Sequence, residues 1–371
     1  MENAKWREET LQKCFAKVKA NIDNIGLGYP HVCLDGKYNN QGPAFWVSGF
    51  WGGILWLYYS QTKDEKAKEL AIKLEEGMDG VLDGFVTLHH DVGFMWLPTS
   101  VVNYKETQSE ESKLRALKAA SHLAGRFNLA GRFIRAWNDA TFEDCQGWAI
   151  IDCLMNLPLL YWASKETNDP RFKHIAKAHS ETVLKSFFRE DGSVPHVVSF
   201  NPETGEKIEN LYGQGYSGSS AWSRGQSWAL YGMSIAYRET GDKKFLEAAK
   251  KSANYILSHL PEDLVPQYDY LAPEDQWYAK DSSAAACTAS GLIELSNLLE
   301  GVEASFYRAK AIEILHALDD KYSDYTDKTE AIIQKGTVSF PAGKHINTPI
   351  IYGDYFFIEA LIKLNQPVQV F

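Results

Sequence analysis

Four times along this chain a residue suited to start a helix stands seven positions ahead of an alanine: Asp64 before Ala71, Ser109 before Ala116, Asp169 before Ala176 and Asp242 before Ala249. Asp and Ser accept hydrogen bonds from the unpaired N–H groups of a first helical turn. Three of the four follow a Thr (Thr62, Thr167, Thr240) that closes the preceding apolar segment. The recurrence predicts a repeated helix-turn-helix unit. Apolar residues at three- and four-residue spacing mark about twelve helices, near 5–22, 49–61, 65–82, 93–105, 110–126, 144–166, 170–188, 223–240, 243–259, 282–299, 303–322 and 352–365. The connections near 25–48, 189–222, 260–281 and 323–351 are long and rich in Gly, Pro, Asn and aromatics, with an alternating piece from Val194 to Phe200 that predicts a short strand. Long loops of this kind usually carry function.

At 371 residues the chain exceeds an ordinary single core, but closed barrels of repeated elements run past ~250 residues as one domain, so residues 1–371 are expected to form one domain. The formal charge of −10 argues against a general affinity for nucleic acid or anionic membrane, and an acidic ligand would need a local basic pocket. The polar start Met1 to Glu9 has no apolar run behind it, which predicts no secretory leader and a cytoplasmic protein. Gly147 to Ala163 is apolar apart from Asp152 and Asn156; it is shorter than the ~20 residues a membrane span needs and is expected to be one buried core helix. Five cysteines without a C-x-x-C spacing are expected to be reduced and buried. Eleven Trp, nineteen Tyr and eighteen Phe are more aromatics than a core of this size requires, and sugar faces are one use for the surplus.

Asp152 is the most informative residue: a carboxylate among Ile150, Ile151, Cys153, Leu154 and Met155 loses hydration, should hold its proton more tightly, and could serve as a general acid or simply cap a neighbouring loop. On a helix Asn156 would share its face and orient it. His89-His90-Asp91 offers a second carboxylate, most simply a helix cap, and adjacent histidines are expected to diverge and so hold no metal. Gly213-Gln214-Gly215-Tyr216-Ser217-Gly218 fits G-x-G-x-x-G, but no apolar strand precedes it, which disfavours a dinucleotide. Arg224 and Trp228 fall one turn apart at the start of a helix, either as a pair that holds a carboxylate and stacks on a sugar or as an ordinary surface contact.

Together these segments resemble the unsaturated glucuronyl hydrolases, glycoside hydrolase family 88. The pieces are Trp46 with Gly49-Phe50-Trp51, His89 to Phe94, Ala136-Trp137, Ile151 to Leu154, Phe200 to Gly205, Trp222 to Trp228, Asp281 to Ala284 and Tyr352 to Tyr355, in the family's order across nearly the whole chain. The resemblance implies an all-α fold, an (α/α)6 barrel of six helical hairpins with long functional loops. It implies hydration of the C4=C5 double bond of an unsaturated uronic acid at the end of a small acidic oligosaccharide, with no metal or organic cofactor. It gives Asp152 the role of general acid and base, makes Asp91 a second required carboxylate, and assigns substrate contact to Trp46, His90, Trp137, His196, Gln214, Arg224 and Trp228. In members that accept sulfated disaccharides a C-terminal loop offers Ser and Lys, matched here by Ser339 and Lys344, with Ala342 where a second Ser could stand. Ser48, Arg135 and Lys280 depart from the residues frequent in the family. The related unsaturated rhamnogalacturonyl hydrolases, acting on pectin fragments, are the nearest alternative; a sugar epimerase, which would need a His pair, and a non-catalytic helical scaffold are the others. The oligomeric state stays open.

Overall fold

The computed structural model, which describes residues 2–138, 144–366, 368 and 370–371, turns each of the four repeats into the start of a helix. Along the chain, α1 (Glu2–Asn24) leads through the hairpin β1 (Pro30–Leu34) and β2 (Lys37–Asn40) to α2 (Gly49–Thr62), α3 (Glu65–Glu76) and a short α4 (Asp79–Gly84). Next, α5 (Val92–Trp96) continues through a π-helical turn over Leu97–Val101 into α6 (Val102–Thr107), followed by α7 (Glu110–Gly125), the two-residue strands β3 (Phe127–Asn128) and β4 (Phe133–Ile134), and β5 (Trp148–Ile150). Then come α8 (Pro158–Thr167), α9 (Pro170–Ser186), β6 (Val197–Phe200), β7 (Lys207–Leu211), α10 (Ser223–Thr240), α11 (Lys243–His259), α12 (Ser282–Asn297), α13 (Gly301–Tyr322) and α14 (Ile351–Lys363).

The helices pack as six antiparallel pairs: α14 with α1, α2 with α3, α5–α6 with α7, α8 with α9, α10 with α11 and α12 with α13. The first member of each pair forms an inner ring that closes from α14 back to α2, with the 3₁₀ turn Ile151–Met155 carrying the contact to α10. This is the expected (α/α)6 barrel. Inner helices touch neighbours on nearly every side, so α14 is buried along its whole length and α12 from Ser282 to Ser296. Outer helices bury one stripe, and Ala71, Ala116, Ala176 and Ala249 lie on it with no exposed surface. One apolar cluster runs from Leu11 to Phe371.

The repeat is a turn with a fixed recipe. Thr62, Thr107, Thr167 and Thr240 each donate a hydroxyl to the carbonyl four residues back, at 2.8, 2.8, 2.7 and 2.6 Å. The next residue, Lys63, Gln108, Asn168 or Gly241, takes a left-handed φ of 56°, 61°, 54° or 69°. Asp64, Ser109, Asp169 and Asp242 then cap the outer helix by accepting from N–H groups of its first turn. The sequence reading had three of these threonines; Thr107 is the fourth. A left-handed backbone strains any residue with a Cβ other than Asn or Asp. Replacing Lys63 or Gln108 by Gly is therefore expected to stabilise the fold by up to ~1 kcal/mol each, read as a higher urea midpoint. An unchanged or lower midpoint for both would contradict this account.

One expectation fails locally. Residues 147–163 are not one helix: β5 pairs antiparallel with β6, which pairs with β7, and the chain passes through the 3₁₀ turn Ile151–Met155 before α8 begins. Pro158 sits in the first turn of α8, where its missing N–H costs nothing. Gly147 lies so close to β6 that a Cβ would come within 1.8 Å of the Phe200 carbonyl oxygen. The predicted strand near 194–200 is β6. All five cysteines are buried and free of disulfides, and no helix among the described residues is long and apolar enough to cross a membrane.

Candidate active site

The four Thr turns sit where inner helices lead into outer ones, so all the long connections open at the opposite end, just before the inner helices begin. Most of the residues singled out from the sequence lie there. Asp91 precedes α5, Asp152 lies in the turn before α8, Gln214 and Arg224 flank the start of α10, and Trp46 precedes α2.

Asn156 links the Asp91 carboxylate to the backbone of Asp152. Its side-chain amide donates to Asp91 Oδ1 at 3.2 Å and to the backbone oxygen of Asp152 at 3.3 Å, while its own Oδ1 accepts from the Phe94 N–H at 2.9 Å. Asn156 thus positions Asp91 rather than the Asp152 carboxylate, because the two residues lie at the end of a 3₁₀ turn and not on one α-helical face. Gly93 allows this approach: a Cβ there would sit 2.5 Å from Asn156 Oδ1. The carboxyl that burial pushes well above its ordinary range is Asp91, with the negative charge of Asp152 adding to the effect. Asp91 occupies the cap position of α5 but makes no capping bond; its Oδ2 lies 3.4 Å from both His89 Nδ1 and His90 Nε2. The histidines therefore converge instead of diverging, since both wrap the same carboxylate. Burial, followed by the charge of Arg126, lowers His89 to about 4, and burial takes His90 well down too. Their donor atoms and that of Asp91 lie within 4.8 Å of one another, gathered around the one carboxylate.

Asp152 keeps 17% of its side chain exposed, less enclosed than its apolar neighbours suggested. Its Oδ2 is buried and takes no hydrogen bond from the described protein groups, and His196 Nε2 stands 3.4 Å away. The backbone N–H of Gln214 donates to His196 Nδ1 at 2.8 Å, which leaves the proton of a neutral ring on Nε2, facing Asp152. Gly213 makes this possible, with φ +56° and its α-carbon so close that a Cβ would come within 2.0 Å of His196 Nδ1. The first glycine of the G-x-G-x-x-G stretch therefore serves a histidine, and the other two lie against Asp269 and Asn210. Trp222 packs on the other side of His196 at 4.3 Å and Trp137 at 6.3 Å.

Arg224 is buried, bonded to Asp281, and donates to the carbonyls of Thr337 and Val338 at 2.9 Å each. Burial works against the charge of the guanidinium, but Asp281, Tyr352 and Asp152 together more than offset it and raise its pKa above the ordinary value. One remaining N–H reaches Gln214 Oε1 at 3.4 Å. The expected Arg224–Trp228 pair does not form. The rings over the guanidinium are Trp222 at 4.6 Å and Tyr352 at 5.2 Å, while Trp228 points into the core between Phe94 and Phe356. An inner helix is covered on both faces, so one-turn spacing says nothing about which face meets the cavity. Trp46 stands against Tyr352 and Phe94, at 5.3 and 5.5 Å. The Ser339–Lys344 segment is a turn closed by backbone bonds in both directions, 3.1 and 2.9 Å, with Ser339 buried and Lys344 exposed at its rim.

Trp222, Asp281 and Tyr352 belong to this constellation although the residue-by-residue reading gave none of them a site role. Among the departures, Ser48 is buried with its hydroxyl 3.2 Å from Met78 Sδ, Arg135 lies 3.6 Å from Cys145 Sγ, and Lys280 pairs with Asp263 at 2.9 Å. These three contacts involve no residue of the site.

Comparison with known proteins agrees over nearly the full length. The model of Glycosyl Hydrolase Family 88 matches residues 30–356. The unsaturated glucuronyl hydrolase of Bacillus sp. (strain GL1) is 36% identical over 356 residues, covering 94% of each chain. The unsaturated chondroitin disaccharide hydrolase of Streptococcus agalactiae serotype III (strain NEM316) is 31% identical over 369 residues, covering 98% of this chain and 92% of its own. The crystal structure of the Bacillus sp. GL1 enzyme, described as responsible for the degradation of glycosaminoglycan, superposes with a TM-score of 0.94 at 33% identity over 97% of both chains.

Proposed function

The chain belongs to glycosyl hydrolase family 88, and from that premise we propose that it releases the 4,5-unsaturated uronic acid from the non-reducing end of small acidic oligosaccharides of the glycosaminoglycan type. The observation that carries the reading is the Asp152 carboxylate: one buried oxygen without a protein hydrogen bond, beside a histidine of fixed tautomer and a second carboxylate. In the proposed reaction Asp152 gives a proton to C4 of the enol ether and takes one from the water that adds at C5, so its own protonation state is restored. The C5 hemiketal then opens, breaking the glycosidic bond and leaving a keto-uronate and the shortened sugar. His196 directs its Nε2–H at Asp152. Asp91, whose hold on a proton is strengthened by burial and by the charge of Asp152, is positioned by Asn156 to meet the substrate or the incoming water. Trp46, Trp137 and Trp222 wall the cavity, Gln214 takes the carboxylate end with the charge of Arg224 held behind it by Asp281 and two backbone carbonyls, and Trp228 supports the floor from beneath. Because the bond attacked is C4=C5 and not the anomeric centre, the carboxylate spacing rule of ordinary glycosidases does not apply. We read residues 1–371 as one catalytic domain working in the cytoplasm.

The test follows the ultraviolet absorbance of the conjugated enol-ether acid in an unsaturated chondroitin disaccharide incubated with the protein. Loss of absorbance supports the reading. No loss here, with loss on an unsaturated pectin fragment, would move the substrate to the rhamnogalacturonyl class, and inertness on both would remove the reaction. Lys344 at the cavity rim fits a sulfate on the second sugar, where an exposed charge pair is worth up to ~1 kcal/mol. Lys344→Ala is therefore expected to lower kcat/KM for a sulfated disaccharide about fivefold and leave the unsulfated one unchanged; an unchanged preference would remove that role.

A further inference from the structure

At the Ser339–Lys344 turn, by the same open end, aromatic side chains gather around Phe340. Phe340 lies flat on Tyr268, 4.4 Å away with 13° between planes, and meets Tyr278 edge-on at 6.1 Å. The row is held by its own hydrogen bonds: the Tyr268 hydroxyl donates to Gln276 Oε1 at 2.6 Å, Trp277 Nε1 to the Ala272 carbonyl at 2.8 Å, and Asn347 Nδ2 to the Tyr278 carbonyl at 2.9 Å. Trp277 and Tyr278 are thus fixed but not covered, with 48% and 61% of their surface exposed. Tyr216, 48% exposed, stands nearby with its backbone N–H on Asp269 at 2.9 Å, close enough for its hydroxyl to influence that of Tyr268.

The row is joined to the site through the chain: Arg224 holds the Thr337 and Val338 carbonyls, Ser339 follows, and Phe340 is the next residue. Rigid, exposed rings lose little entropy on binding and present flat apolar faces to the C–H face of a pyranose. Resting on the reading of the cavity as an unsaturated-uronate site, we propose that Tyr278 and Trp277, carried outward from Phe340, form a distal subsite for the reducing-end sugars of a substrate longer than a disaccharide.

The experiment compares an unsaturated disaccharide with the tetrasaccharide of the same repeating unit, using the wild type, Trp277→Ala/Tyr278→Ala and Tyr278→Phe. The double variant is expected to raise KM for the tetrasaccharide about fivefold and to change the disaccharide's constants by less than about twofold, while Tyr278→Phe, which keeps the ring, behaves as wild type. Equal losses on both substrates, or none on the tetrasaccharide, would overturn the subsite. A shift from dimer to monomer on size exclusion without a change in KM would give the row to self-association and overturn the subsite equally. A wild type inert on both substrates would instead strike the functional reading on which the subsite rests.

Discussion

Asp152→Asn is expected to reduce kcat/KM on an unsaturated disaccharide by about 10³-fold, the size of effect that loss of a general acid and base produces. Asn keeps the shape of the side chain and can still meet His196, so the thermal midpoint should barely move. It cannot carry a proton to carbon and recover one from water, and the loss should fall mainly on kcat. The measurement is the decay of enol-ether absorbance under saturating substrate. Retention of activity within about tenfold of wild type would show that the proton comes from elsewhere, with Asp91 the next carboxyl to remove.

Asp281→Ala carries the largest expected loss of stability. Asp281 has no exposed surface and is the one charged partner given to the Arg224 guanidinium, whose other strong contacts are two carbonyls and the faces of two rings. Removing one partner of a buried pair strands the other charge, at about 3–5 kcal/mol. The same carboxylate caps α12 by accepting from the Ala284 N–H, which adds a smaller share. The urea midpoint should fall accordingly, and Arg224→Met combined with Asp281→Leu should cost less than the single change, because no unpaired charge remains. A loss below ~1 kcal/mol for Asp281→Ala would mean that Arg224 finds other compensation.

The parts of this fold that were legible in the sequence are those built from neighbours in the chain. Asp64, Ser109, Asp169 and Asp242 cap helices that begin one residue later, and short-range chemistry is enough to read them. Residues 147–163 defeated the same logic because an unbroken apolar run fits a buried strand as well as a buried helix, and the choice is made by β6, some fifty residues away. The site divides in the same manner. Asp152 stood out as a carboxylate in an apolar run, but Asn156 reaches Asp91 across 65 positions and Arg224 reaches Val338 across 114, so neither partnership leaves a local trace. Trp222 was passed over for Trp228 because the argument used helical spacing, whereas the ring that covers Arg224 belongs to the residue just before the helix.

The shared direction of the six inner helices has an electrostatic consequence. Each peptide unit carries a dipole along the helix axis, and the N-terminal end of a helix behaves as roughly half a positive charge. With every inner helix beginning at the open end, six such ends surround one cavity, two of them, α10 and α12, brought together by Arg224 and Asp281. In a chain of net charge −10 these backbone N–H groups contribute positive charge beside the carboxylates Asp91 and Asp152 without a cluster of lysines, and without the mobility or the hydration of ammonium groups. For a carboxylated sugar approaching an acidic surface, the barrel's own polarity marks the entrance.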